Sequence, residues 1–419
     1  GGEGSGFSLV GEREFLTPER ARAVLRPLLE GAEGTVDAVV LSTKSFGDGS
    51  AEVAAEALAR HRASLRAADL SDVISGRPED EALRSLTAIC SGLLGCSLTD
   101  LDLSDNALGE KGVRACTELL QGQGPRLEAL ALRNVGCSVF ACAAVNELLP
   151  APAELKRLHL FNNMSDDEGA QSIAALLRRA PRMADFKMVS SRVKEAGGEA
   201  LADALAGKPL ARLNVSDNPM GPEVGAAFGR LLSSVSATLT HLNLSEACLE
   251  DEGVVALAPG LPACAKLEAL ELSANEITRR GARVLAACLP ALKKLKLLNL
   301  KENELGDQGA IPLATAISGL AELETLDLYQ NEIQGLGAMA VVRALAGKPK
   351  LKLVDLNSNC LSDDALDNVT SYVTEELGLE GVLAEFDEND EDMAPEEDED
   401  EMDEGGDEEL IASLARAHI

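Results

Sequence analysis

Two residues stand outside a pattern that otherwise runs through this chain, and both carry side chains able to act on a bound partner. Arg77 lies between Gly76 and Pro78, in a stretch (Leu70 to Asp80) longer than its counterparts elsewhere in the sequence. Pro removes backbone freedom beside it. It reads either as a partner-contacting arginine on a stiffened loop or as a surface arginine paired with Glu79 or Asp80. Asn134 stands one place ahead of a position where the pattern calls for Asn and Val135 is found instead. Strand alternation turns Asn134 away from the interior. Its amide, a donor and an acceptor without charge, is then available for other work.

The ordinary signatures of enzyme chemistry are missing. Of four histidines (His61, His159, His241 and His418), His159 and His241 fall in different repeats, and none has a Cys or carboxylate cluster nearby at metal-ligand spacing. There is no G-x-x-x-x-G-K-[ST] phosphate loop and no G-x-S-x-G or Cys/His nucleophile signature. No metal site and no cofactor of its own are expected. Participation in catalysis would have to come through a partner.

The element that positions these residues is a repeat, L-x-x-L-x-L-x-x-N-x-L-x-x-x-G. Clear copies are Leu98-Leu101-Leu103-Asn106-Leu108-Gly112 and Leu295-Leu298-Leu300-Asn303-Leu305-Gly309. Twelve copies open at Val36, Leu65, Leu98, Leu127, Leu155, Met183, Leu210, Leu239, Leu267, Leu295, Leu323 and Leu351. That step sits near the top of the range for leucine-rich repeats and leaves room for a helix after each strand. In L-x-L the leucines point inward from a strand. The ladder Asn is placed to bond backbone groups of adjacent turns, and the segment after Gly has helical apolar spacing. The expected fold class is therefore α/β: a leucine-rich-repeat solenoid, a horseshoe like that of ribonuclease inhibitor. Its parallel sheet would line the concave face and its helices the convex face.

Five segments follow. Residues 1–35 form an N-terminal cap, with a helix opening at Thr17-Pro18; residues 36–361 form the solenoid; residues 362–384 form a capping helix. Residues 385–409 hold seventeen Asp or Glu and no Lys or Arg, more than half of the net charge of −32. This is expected to be a disordered acidic tail. Residues 410–419 form a short amphipathic segment that would dock on a partner or on the solenoid. The acidic balance argues against nucleic acid, and no apolar run is long enough to span a membrane. The start, Gly1-Gly2-Glu3-Gly4, reads as a fragment boundary without a secretory signal. Nine scattered cysteines without a C-x-x-C pair point to buried free thiols in a reducing compartment.

Three strings exceed what the generic repeat demands: Asp69 through Glu79, Leu103 through Ala115, and Phe161 through Ala170. On these the chain, over roughly residues 7–380, resembles the GTPase-activating protein of Ran in its plant and algal form, a family that also carries an acidic C-terminal tail. The resemblance implies binding of Ran in its GTP form and acceleration of GTP hydrolysis, with GTP and magnesium belonging to the partner. It assigns catalysis to the asparagine matching Asn134, thought to help hold Ran's own Gln in productive geometry without an arginine finger. Arg77 is then left to docking or loop structure. Family members often show two adjacent asparagines at this site; here Arg133 and Val135 flank a single one.

Docking is expected along the loop edge of the N-terminal half, with Arg77, Asp72, Asp105, Glu110, Arg133, Asn162, Asp166 and Asp167 as candidate contacts. The resemblance further implies a monomer that meets a Ran-binding protein as a second candidate partner, in the cytoplasm or at the nuclear rim. With no Trp, these residues hold no Trp-Pro-Pro targeting module. The rival reading is a non-catalytic leucine-rich-repeat scaffold or inhibitor, because a shared repeat does not settle function.

Overall fold

The structure, a computed structural model, describes residues 5–107, 109–393 and 407–416. Leu108 of the repeat frame, the start of the chain, acidic residues 394–406 and His418 lie outside the described residues. Two compact units are present, Gly1–Leu205 and Ala206–Ile419. In the first, seven parallel strands pair in chain order: Gly6–Ser8, Ala38–Val40, Ala67–Asp69, Asp100–Asp102, Ala129–Arg133, Arg157–Phe161 and Asp185–Val189. In the second, six do the same: Arg212–Asn214, His241–Asn243, Ala269–Glu271, Leu297–Asn299, Thr325–Asp327 and Leu353–Asp355. Strands neighbour strands, and helices such as Val139–Leu148 and Asp166–Arg178 neighbour helices. This is the leucine-rich-repeat architecture that the spacing predicts.

Register explains why one repeat cannot stand alone. Leu101 pairs with Leu130, Leu130 with Leu158 and Leu158 with Phe186, and all four are buried. Each buried leucine contributes about 1.5–3 kcal/mol, but only because the neighbouring coil covers it. The ladder asparagines close the polar side of the same problem. Asn303 donates through Nδ2 to the carbonyls of Leu272 and Leu300, while its Oδ1 accepts from the backbone N–H of Asn275 and Ile277. Asn106 does the same between Leu70, Leu103 and Val73.

The glycine of the frame has a packing reason. A Cβ at Gly281 or Gly337 would lie 2.4 Å from the carboxylate of Asp251 or Asp307 in the preceding repeat. Those carboxylates cap the next helix, Asp251 by accepting from the N–H of Thr278 and Gly281.

Both ends differ from expectation. Thr17 caps the helix Pro18–Val24 as its sequence predicts, but residues 1–35 also supply the strands Gly6–Ser8 and Glu14–Leu16, which pair with Ala38–Val40 and Lys44–Phe46. Ser362 caps the helix Asp363–Ser371. The acidic segment does not leave the fold at Glu385. Val354 bonds Val382 and Ala384, the amide of Asn357 meets Asp387 and Glu388, and Asn389 exchanges hydrogen bonds with Leu361. The physical reason is a thirteenth, degenerate coil in which Asn389 plays the ladder asparagine. The terminal helix Glu408–Arg416 returns to the helix Arg279–Cys288: Arg280 pairs with Asp407 at 2.6 Å, Arg283 with Glu408 at 3.1 Å, and Leu414 is buried.

All nine cysteines are free and eight are buried, leaving Cys248 partly exposed. Burial pushes the Cys264 and Cys288 thiols up to about 12. A thiol-reactive dye at neutral pH should therefore label Cys248 first and the other eight only on unfolding; several fast thiols in the native protein would contradict that burial. Asn303→Ala should lower stability in urea unfolding by about 2–3 kcal/mol, because several buried backbone groups lose a partner.

Candidate functional site

Every repeat leaves its strand through one residue in the left-handed region, immediately before the ladder position. In four successive repeats this residue is Asp72, Asp105, Asn134 and Asn162, with φ of 53°, 60°, 51° and 52°. Asp and Asn tolerate this conformation better than other side chains with a Cβ. Asn134 is thus not a ladder asparagine that slipped. It fills the left-handed position, while Val135, fully buried, fills the ladder slot. Its backbone N–H donates to the Phe161 carbonyl at 2.8 Å, as the Asp105 N–H donates to that of Arg133 at 2.7 Å.

The Asn134 side chain is exposed, but its amide is engaged on both sides. Nδ2 donates to Asp105 Oδ1 at 2.7 Å, and Oδ1 accepts from Asn162 Nδ2 at 2.7 Å. Asp105, Asn134 and Asn162, all predicted from sequence, are therefore brought together in one hydrogen-bonded row. The row presents a neutral amide with one spare N–H and one spare lone pair. Nothing in it can act as nucleophile or general base at neutral pH except the carboxylate of Asp105.

Arg77 departs from the expectation of an arginine held out at a loop tip. Its guanidinium is folded inward with 16% of the side chain exposed. Nε donates to Ser45 Oγ at 3.0 Å, Nη2 to the carbonyls of Ser45 (2.8 Å) and Leu16 (3.3 Å), and Nη1 to Glu81 at 3.1 Å. The Phe15 ring lies 5.1 Å below it. Its acidic partner is Glu81, one helical turn on, and not Glu79 or Asp80. The physical reason is the set of buried carbonyls from two preceding segments, which a five-donor fork satisfies together. Asp72 is corrected in the same sense. It is 9% exposed, pairs with Arg13 at 2.6 Å, and keeps Oδ1 buried without a hydrogen-bond partner among the described residues.

Asp167 is also structural: its Oδ1 accepts from the N–H of Lys194 (2.8 Å) and Gly197 (3.0 Å), capping the helix Glu195–Leu205. Asp166, in the left-handed region at φ 50°, starts the helix Asp166–Arg178. Glu110 pairs with Arg114 at 2.9 Å, and Arg133 reaches Asp102 at 2.6 Å and Ser104 Oγ at 3.2 Å. Arg133, Glu110 and Asp166 remain accessible along the edge that carries Asn134. Burial, with Asp102 and Asp69 nearby, raises the Asp100 carboxyl above its ordinary range against the pull of Arg157.

Sequence reasoning passed over the apolar residues here. Phe161 is 42% exposed and pairs with Arg133 across the sheet; Met164 and Phe140 are also exposed. The strand Arg157–Phe161 alternates, with Leu158 and Leu160 inward, and that period already turned Phe161 outward.

A family model described as Leucine Rich repeat matches residues 96–115, 235–258, 263–286 and 291–314. Over 113 residues the chain is 43% identical to RAN GTPase-activating protein 1 of Arabidopsis thaliana, covering 27% of this chain and 21% of that protein. RAN GTPase-activating protein 2 of the same plant is 45% identical over 111 residues, covering 26% and 20%. Mouse ribonuclease inhibitor is 30% identical over 183 residues, covering 43% and 40%. The match to the two plant proteins thus spans about a fifth of their length.

The inward fork makes a stability prediction for Arg77. Arg77→Lys keeps the charge but cannot reach Ser45, Leu16 and Glu81 at once, so unfolding should come earlier by about 1–3 kcal/mol. An unchanged urea midpoint would return Arg77 to the exposed contacts.

Proposed function

We propose that this chain binds the GTPase Ran in its GTP form and accelerates GTP hydrolysis by presenting the Asn134 amide to the GTPase's own catalytic Gln. The observation that carries the reading is an exposed, uncharged amide held on both sides at a strand end. The likeness to the two Arabidopsis Ran activators supports the choice of partner. A small GTPase hydrolyses slowly because its water-orienting Gln is poorly placed, and an activator that completes the site adds up to about 10⁵-fold. An amide suits that task, since it can donate to and accept from another amide without bringing a charge. The inward fork of Arg77 favours a mechanism without an arginine finger. Glu110 and Asp166 along the same edge would meet a basic GTPase surface and speed encounter, with Phe161 and Met164 supplying apolar contact. GTP and its magnesium stay with the partner.

The experiment is single-turnover hydrolysis on Ran loaded with GTP. Wild type should accelerate the reaction. Asn134→Ala, and Asn134→Gly, which tolerates the left-handed backbone without strain, should abolish the acceleration while binding survives. Collapse in Arg77→Ala alone, with its fold intact, would instead point to an arginine finger. Binding without acceleration by wild type would favour an inhibitor-like scaffold, the reading that the ribonuclease-inhibitor likeness supports.

A further inference from the structure

Asn134 has two neighbours whose chemistry is unequal. Asp105 is a carboxylate and can only accept, so the side of the Asn134 amide facing it at 2.7 Å must be the NH₂. That leaves the Asn134 carbonyl oxygen toward Asn162, which answers with its own NH₂ at 2.7 Å. An amide turned by 180° about its last torsion has almost the same shape, and that torsion is intrinsically close to two-fold. Without an unequal neighbour, the two orientations would compete. The three residues sit at equivalent left-handed positions of consecutive repeats, at φ of 60°, 51° and 52°, so the strand stacking itself brings them within hydrogen-bond reach.

We propose that Asp105 and Asn162 are positioning residues that fix which end of the Asn134 amide faces the partner. This rests on the reading that Asn134 acts on the bound GTPase. It gives Asp105 and Asn162 a role different from direct contact: the carboxylate sets the polarity of the row, and Asn162 closes it. The spare N–H and spare lone pair of Asn134 then lie on defined sides, and the partner's Gln meets one donor–acceptor pattern. A group supported in this way needs little reordering when the partner arrives.

The test reverses the row without changing its charge, shape or number of hydrogen bonds. In the double variant Asp105→Asn/Asn162→Asp the carboxylate stands on the other side, so the Asn134 amide turns over. Single-turnover hydrolysis of Ran-bound GTP by the double variant should fall to the Asn134→Ala rate, while the half-saturating concentration stays within ~2-fold of wild type. Asp105→Asn alone, which permits both orientations, should fall between the two. A double variant that matches the wild-type rate would overturn the proposal, because a purely structural row survives the exchange; a rise in half-saturating concentration with an unchanged maximal rate would instead mark Asp105 and Asn162 as direct contacts and would overturn it too.

A second readout does not depend on hydrolysis. In protein labelled with ¹⁵N-asparagine, the Asn134 side-chain NH₂ should show NOEs to the Asp105 β-protons in wild type and to the residue 162 β-protons in the double variant. NOEs to both neighbours in wild type would show that the amide is not locked and would overturn the proposal. If the amide is locked but wild type does not accelerate hydrolysis, the parent reading fails and the catalytic role of the row fails with it. The two failures are thereby told apart.

Discussion

Stacking coils edge to edge buries backbone N–H and C=O groups at every turn out of a strand, and the structure depends on satisfying them. Where a repeat carries a ladder asparagine, that one side chain does so: Asn106, Asn275, Asn303 and Asn359 each donate to a leucine carbonyl of the preceding coil and accept from its N–H groups. Leucine packing depends on this, because Leu101, Leu130 and Leu158 meet only if the coils keep register. The same closeness explains why a Cβ at Gly281 or Gly337 would collide with the carboxylate that caps the helix beside it.

The candidate site is a by-product of that constraint. The residue before each ladder position takes a left-handed backbone, and this places one such residue per repeat at nearly fixed spacing. Other repeats fill the position with Ala274, Glu302 or Gln330, for example. Where Asp105, Asn134 and Asn162 occupy three in succession, the spacing becomes a hydrogen-bonded row with a charged end. Its rigidity comes from the solenoid, and its polarity from one carboxylate.

Several residues show why charge and exposure are poorly legible in a repeat sequence. Arg77, Asp72 and Asp167 all read as loop-edge contacts, since each follows a strand and precedes a helix. Each is instead consumed by a neighbouring coil: Arg77 by the carbonyls of Ser45 and Leu16, Asp72 by Arg13, Asp167 by the helix at Glu195. These inter-coil partners lie some thirty to sixty residues away, beyond any local pattern, although Arg77 also keeps Glu81 one helical turn on. Phe161 was legible from alternation alone. The folded start of the acidic segment was not, because the interactions of Asn357 and Leu361 outweigh a local composition that reads as unfolded.

The sequence by itself determined the repeat, its step, the inward leucines, the ladder asparagines, the capped helices and the outward placement of Asn134. These follow from periods of two and 3.6 residues and from the local conformational preferences of Asn, Gly and Pro, which act within one coil. Only the tertiary structure decided that Arg77 points inward, that Asp167 is a cap, and that the Asn134 amide has a defined orientation between Asp105 and Asn162. Each of these is a hydrogen bond between repeats. Its geometry is set by the stacking of one coil on the next, which no single coil encodes.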